Sequence, residues 1–275
     1  MTQHTLAFIG AGNMACSLVG GLIADGWDPA RIHVADADPQ QLERVSGRFP
    51  VTTTSTNPDA AAQADVVILA VKPQSIKEVA LELADTVAQS RALVISIAAG
   101  MRETSLRGWL GKQTAIVRAM PNTPALVQSG ATALYANPAV NEAQRSIAES
   151  ILRAVGMTLW IDDETMMDAV TALSGSGPAY FFLFMEALQS AGCKLGLPSD
   201  TARLLVLQTA FGAAKMALES SEDAATLRRR VTSPGGTTER ALEVLQEQEF
   251  EARILKALQA AAERSRELAD EFGNS

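Results

Sequence analysis

The residues of this 275-residue chain best suited to chemistry stand in one run, Gly10-Ala11-Gly12-Asn13-Met14-Ala15, directly behind the apolar stretch Leu6-Ala7-Phe8-Ile9. A glycine turn between a strand and a helix start attracts anions, because free N–H groups and the helix dipole both favour negative charge. Gly10 permits the turn, and Gly12 lets backbone approach a pyrophosphate. Ala15 is small enough to replace the third glycine of G-x-G-x-x-G. The context predicts dinucleotide binding rather than an ordinary strand–helix turn.

An acidic residue about twenty positions beyond such glycines accepts bonds from the adenosine ribose. Asp36 stands there, at the end of the second strand pattern. Its carboxylate would accept the 2′-hydroxyl of NAD and repel the 2′-phosphate of NADP. Asp38 adds to that repulsion, and no Arg or Lys follows until Arg44. We expect NADH to be tolerated or preferred over NADPH; the alternative role for Asp36 is a cap on the next helix.

The elements that must position these groups follow from hydrophobic periodicity. Strand patterns fall at Leu6–Ile9, Arg31–Ala35, Val51–Thr53, Val66–Val71, Leu93–Ile97 and Ala115–Arg118, with two more at Ala131–Tyr135 and Met157–Ile161. Helical patterns at Met14–Ala24, Pro39–Ser46, Ser75–Val87, Arg102–Leu110 and Glu142–Ala154 separate most of them. This alternation predicts a doubly wound, Rossmann-type, mostly parallel sheet covered on both faces. Ligands of such sheets lie beyond the carboxyl ends of strands. Asn57, Ala70-Val71-Lys72-Pro73, Ala98-Ala99-Gly100 and the loop Met120–Pro124 therefore join the cofactor region. From Asp163 onward strand signals vanish. Helices are expected over Glu164–Leu173, Ala179–Lys194, Ser199–Glu219, Thr238–Gln248 and Phe250–Glu271. The predicted domains are 1–162, α/β and dinucleotide-binding, and 163–275, all-α.

Two turns in the helical half are rich in small residues, Ser174-Gly175-Ser176-Gly177-Pro178 and Ser233-Pro234-Gly235-Gly236-Thr237-Thr238. Each precedes a helix and can offer N–H groups to an anion; a helix kink and a helix–helix corner are the structural alternatives.

The formal net charge of −8 argues against nucleic acid. The basic cluster Arg228-Arg229-Arg230 reads as a solvated turn or helix end. Cys16 and Cys193 fall in apolar helical patterns and are expected to be buried free thiols. No metal-ligand spacing exists, and His4 and His33 are not acid/base candidates. Without a signal pattern or an apolar run near ~20 residues, no membrane is expected and the location is expected to be cytoplasmic.

Gly10–Ala15, Ala70–Pro73, Met120–Pro124, Leu173–Tyr180 (LSGSGPAY) and Val231–Thr238 (VTSPGGTT) occur in the order found in pyrroline-5-carboxylate reductases, which the chain resembles over nearly its full length. The resemblance implies an oxidoreductase of the cytoplasm that reduces the C=N bond of L-1-pyrroline-5-carboxylate to give L-proline with NAD(P)H, the last step of proline biosynthesis. It implies an interlocked homodimer through the C-terminal helices, with larger rings of dimers in some members. It also implies a cofactor set of Ile9, Gly10, Ala11, Gly12, Asn13, Met14, Asn57, Ala70, Val71, Lys72, Pro73 and Ala99. The substrate set is Glu164, Ser233, Gly235, Gly236, Thr237 and Thr238, Glu164 having a favourable first-turn carboxylate as its alternative role. Many members carry a hydroxyl residue and a nearby base after the second strand, where this chain has Asp36-Ala37-Asp38.

A cyclic imine is basic enough to be protonated without a strong enzymic acid, so orientation is the protein's main task. Thr238 is the expected catalytic hydroxyl near the imine nitrogen, with Lys72 as rival. Two other readings keep the architecture: a β-hydroxyacid dehydrogenase, whose acid/base lysine would have to be Lys194 or Lys215, and a nucleotide-sensing protein without catalysis.

Overall fold

In the computed structural model, residues 4–273 are described; the ends of the two expected domain ranges, 1–3 and 274–275, lie outside them. The described residues form two compact units, one of residues 4–176 with 261–273 and one of residues 177–260.

The first unit is built on eight strands: β1 (Leu6–Ile9), β2 (Ile32–Ala35), β3 (Thr52–Thr54), β4 (Val66–Leu69), β5 (Leu93–Ser96), β6 (Ile116–Met120), β7 (Gly130–Ala136) and β8 (Gly156–Trp160). Their order is β3-β2-β1-β4-β5-β6-β7-β8. Every pairing is parallel except β6 with β7. Those two are joined by the short turn Thr123–Val127, too brief for the crossover that a parallel pair requires. The central strands β1, β4 and β5 are buried at every position, as a sheet covered on both faces demands. Alternate side chains feed two cores, one containing Phe8, Ile68 and Ile95, the other Ile9, Leu69 and Val94.

The helices on the sheet are α1 (Asn13–Ala24), α2 (Pro39–Ser46), α3 (Asn57–Ala61), α4 (Ile76–Ser90), α5 (Glu103–Leu110) and α6 (Glu142–Arg153). Helix α3 has no counterpart in the sequence reading, since five residues span too little of a helical period to register. Next, α7 (Met166–Val170) runs into a π turn, Thr171–Gly175.

The second unit contains α8 (Gly177–Lys194), α9 (Ser199–Glu219), α10 (Ala224–Arg230), α11 (Thr237–Glu247) and the start of α12 (Phe250–Gly273). Helix α10 was not expected as an element; Arg228–Arg230 form its last turn, where cations suit the dipole. In this unit only Gly177 and Ala202 are buried among the described residues. Phe181 and Leu218 are 67% and 83% exposed, and Phe182, Leu204 and Phe211 are likewise bare. Cys193 is exposed, against expectation, on a helix whose apolar side chains are largely bare; Cys16 is buried as expected.

The last turns of α12 belong to the first unit. Asp270 pairs with Arg102 at 2.8 Å, and the Ser265 hydroxyl donates to Asp168 at 2.7 Å. This return, together with residues 163–176, extends the compact unit beyond the expected range 1–162.

Candidate active site

Beyond the carboxyl ends of β1 to β4 lies a cleft of about 810 Å³, lined by Gly10, Gly12 and Asn13 after β1, Asp36 to Asp38 after β2, Ser55 and Asn57 after β3, and Ala70 to Lys72 after β4. It straddles the point where strand order reverses between β1 and β4, the usual ligand crevice of a doubly wound sheet.

The two glycines act differently. Gly10 has φ +102°, and a Cβ there would stand 2.7 Å from the Ala70 carbonyl oxygen. Only glycine lets β1 turn that close to β4. Gly12 has an ordinary φ of −67° and caps α1, which has no side-chain cap on its first N–H groups. A Cβ at Gly12 would meet nothing within 4 Å, so the space in front of the helix start is open to an incoming group. On the wall of the cleft, Gln41 Oε1 is buried without a hydrogen-bond donor. An uncapped helix start, an open glycine and an orphan acceptor fit the pyrophosphate and a ribose hydroxyl of a dinucleotide.

Asp36 does not cap α2; Asp38 does, accepting from Gln40 N–H at 2.9 Å. Asp36 Oδ2 accepts from Ala11 N–H at 2.7 Å and Oδ1 from Asp38 N–H at 2.9 Å. Arg44, on α2, donates to the Ala11 carbonyl at 3.1 Å and to Asn13 Oδ1 at 3.2 Å. Asn57 opens α3 and donates to Glu82 at 2.7 Å. Lys72 precedes the 3₁₀ turn Pro73–Ser75, in which Pro73 takes the first position. Of the remaining expected cofactor residues, Ile9 and Ala11 are fully buried and Met14 packs against the core. Ala99 follows β5 without lining the cleft.

Sequence reasoning did not assign Gln41, Arg44, Glu78 or Glu82 to this cleft. The signal was their spacing: Gln41 and Arg44 are three apart, Glu78 and Glu82 four apart, so each pair shares one helix face.

Glu164 precedes α7 and is one-fifth exposed. Its Oε1 accepts from Glu103 N–H at 2.6 Å and from Arg118, in the middle of β6, at 2.5 Å. It thus caps α5 as well as neutralising Arg118. Tyr135 lies in the same field. Burial and the nearby carboxylates of Glu164, Glu103 and Asp163 push its phenol above the ordinary range.

The Ser174–Pro178 turn is a kink. Ser176 N–H bonds to Thr171 O at 2.8 Å inside the π turn, and Asn122 donates to both Ser174 oxygens at 3.2 Å. A Cβ at Gly175 would sit 2.5 Å from Met120 Cε, so the tip of that flexible side chain would have to shift.

In the helical unit, Gly236 caps α11, leaving its first turn without a side-chain cap. Ser233, Gly235, Thr237 and Thr238 are exposed. Gly236 N–H is engaged by Ser233 O at 3.0 Å, and Gly235 N–H by the Glu239 carboxylate at 2.7 Å. Glu239 was not foreseen, although an acidic residue at the third helical position commonly reaches back to the preceding loop. Lys215 pairs with Glu219 at 3.7 Å. His4 Nδ1 faces Asp65 at 3.6 Å, at the amino end of the sheet and away from the cleft.

Two family models match the chain: NADP oxidoreductase coenzyme F420-dependent over residues 5–100, and pyrroline-5-carboxylate reductase dimerisation over residues 164–268. The pyrroline-5-carboxylate reductase of Pseudomonas aeruginosa is 52% identical over 273 residues, covering 99% of this chain and 100% of the relative. The solved structure of the Coxiella burnetii pyrroline-5-carboxylate reductase superimposes with a TM-score of 0.94 at 49% identity, covering 98% and 99% of the two chains. That of the Plasmodium falciparum pyrroline carboxylate reductase, with NADP bound, gives 0.87 at 31% identity, covering 98% and 99%.

Proposed function

This chain belongs to the pyrroline-5-carboxylate reductase family, and from that premise we propose that it reduces L-1-pyrroline-5-carboxylate to L-proline with a reduced nicotinamide dinucleotide, the last step of proline biosynthesis. The observation that carries the cofactor half of the reading is the cleft over β1 and β4, with open space before an uncapped helix start. When bound, the nicotinamide supplies the hydride for the imine carbon.

The chain's own task is to hold and orient. Gly12 and the first turn of α1 seat the pyrophosphate, while Asp36, Asn57 and Ala70 to Pro73 border the dinucleotide. Four carboxylates, Asp36, Asp38, Glu78 and Glu82, face two cations, Arg44 and Lys72, along the cleft. That balance favours the less charged NADH, which we take to be tolerated or preferred.

Ser233, Gly235, Gly236, Thr237 and Thr238 receive the carboxylate of the pyrroline. An exposed, uncapped helix start supports this, because its N–H groups and dipole favour an anion. The Thr238 hydroxyl, near the imine nitrogen, orients or donates the proton. Glu164 joins the set as an acidic residue near the bound ligand.

The exposed apolar side chains of α8 and α9 support a homodimer through the helical unit, since patches of this extent mark a partner surface; rings of dimers and a cytoplasmic location complete the reading. Among the described residues no helix is long and apolar enough to cross a membrane.

Steady-state oxidation of NADH and NADPH with L-1-pyrroline-5-carboxylate tests the proposal. Turnover with either cofactor is the expected result; cofactor binding without turnover would remove this substrate.

A further inference from the structure

We propose that Arg44 is the specificity-determining residue at the adenosine end of the cleft, where its guanidinium receives the 2′-phosphate and lets NADPH be used beside NADH, while Asp36 serves as the tether of the glycine loop. The inference rests on the reading of this cleft as a nicotinamide dinucleotide site. It reassigns the two charged groups that face the ribose.

Asp36 stands where a ribose-binding carboxylate belongs, yet both its oxygens are already engaged. The Ala11 and Asp38 N–H groups donate to Oδ2 and Oδ1 at 2.7 and 2.9 Å. Two such bonds spread the carboxylate's charge over the backbone and weaken its repulsion of a nearby phosphate. They also fix the loop, because Ala11 N–H lies in the peptide unit between the two turn residues Gly10 and Ala11.

Arg44 grips the next peptide. Its Nη2 donates to the Ala11 carbonyl at 3.1 Å and to Cys16 Sγ at 3.5 Å, and its Nη1 to Asn13 Oδ1 at 3.2 Å. All three acceptors are uncharged, and Arg44 is in no ion pair among the described residues. A guanidinium has five N–H donors, so donors remain for a further acceptor. The result is a cation held in place by the glycine loop itself, lacking a counter-charge, on the wall that Asp36 and Asp38 share. Gln41, three residues before Arg44 on α2, lines the same wall with its orphan Oε1. A planar fork fixed at two points suits a phosphate better than a mobile ammonium would.

The two cofactors differ at this end only by the 2′-phosphate, so the test is their relative affinity. The dissociation constants of NADPH and NADH are measured by cofactor fluorescence without any imine, with 2′,5′-ADP and ADP as competing probes. The proteins are wild type, Arg44→Gln and Arg44→Lys in the full chain. Arg44→Gln should weaken NADPH and 2′,5′-ADP about tenfold, in line with loss of a charge-assisted bond. NADH and ADP, which share only the loop held by Arg44, should weaken several-fold less. Arg44→Lys should recover part of the NADPH affinity, and the difference should shrink as salt rises. Equal weakening of NADPH and NADH by Arg44→Gln would make Arg44 a loop tether only and overturn the proposal, as would no change in either. Because no imine is present, failure here is distinct from failure of the reductase reading, which turnover decides.

Discussion

Adding one methyl group at each of the two loop glycines should separate folding from cofactor binding. In Gly10→Ala the new Cβ would lie 2.7 Å from the Ala70 oxygen, 2.8 Å from its carbonyl carbon and 2.9 Å from Val71 N. These are backbone atoms of the central strand connection and cannot swing aside. A left-handed backbone costs an L-residue roughly 1–2 kcal/mol, and overpacking adds roughly 1–3 kcal/mol. The total, about 3 kcal/mol, should lower the urea midpoint by about 1 M at a slope of about 3 kcal/mol/M. Gly12→Ala meets no such obstacle, since φ is −67° and nothing lies within 4 Å. Its stability should match wild type within about 0.5 kcal/mol. Its Cβ, however, enters the space before the helix start and displaces one charge-assisted bond to the pyrophosphate. One such bond is worth about 1.5–3 kcal/mol, so the NADH dissociation constant should rise about 10- to 100-fold. Denaturation at fixed protein concentration and cofactor fluorescence titration read the two effects separately. Wild-type cofactor affinity in Gly12→Ala would refute the pyrophosphate seat. Unchanged stability in Gly10→Ala would refute the close approach of β1 to β4.

Three further outcomes are expected. Thr238→Ala should lower kcat while leaving NADH binding nearly intact, and unchanged turnover would take the hydroxyl out of the mechanism. Glu239→Gln should lower KM for the pyrroline carboxylate about threefold, because it removes a carboxylate from Gly235 N–H at an exposed site; a raised KM would show that the carboxylate orders the loop instead. Tyr135 carries a phenol raised above 10.0 by burial and by the carboxylates around it. The folded state therefore binds the proton more tightly than the unfolded chain does, and stability falls as pH rises past 10.0. Tyr135→Phe should flatten that alkaline decline in urea midpoints measured from pH 9 upward; an unchanged slope would locate the cause elsewhere.

The eight strands were legible to within two residues at each end, because a continuous apolar run such as Val66–Leu69 has one reading in a sheet buried on both faces. The carboxyl-edge residues Gly12, Asp36, Asn57 and Ala70 to Lys72 were legible for the same reason: once strands are parallel, their ends share one edge. The five-residue α3 and seven-residue α10 escaped, being too short for a period to declare itself. Ser174–Pro178 was ambiguous between an anion-binding turn and a kink. The structure makes it a kink, a π turn in which Ser176 N–H bonds to Thr171 O.

The sequence by itself determined the glycine turn, the alternation that makes a doubly wound sheet, and the switch to helices after Asp163. All three are local consequences of backbone freedom and hydrophobic period. Only the tertiary structure decided which charges meet. It set Asp36 on Ala11 N–H across 25 residues, Arg44 on the Ala11 carbonyl across 33, and Glu164 on Arg118 across 46. Side-chain partners at such separations depend on strand order and on which helix faces pack against the loop. No local pattern encodes that geometry, and it is where the electrostatics of the site are fixed.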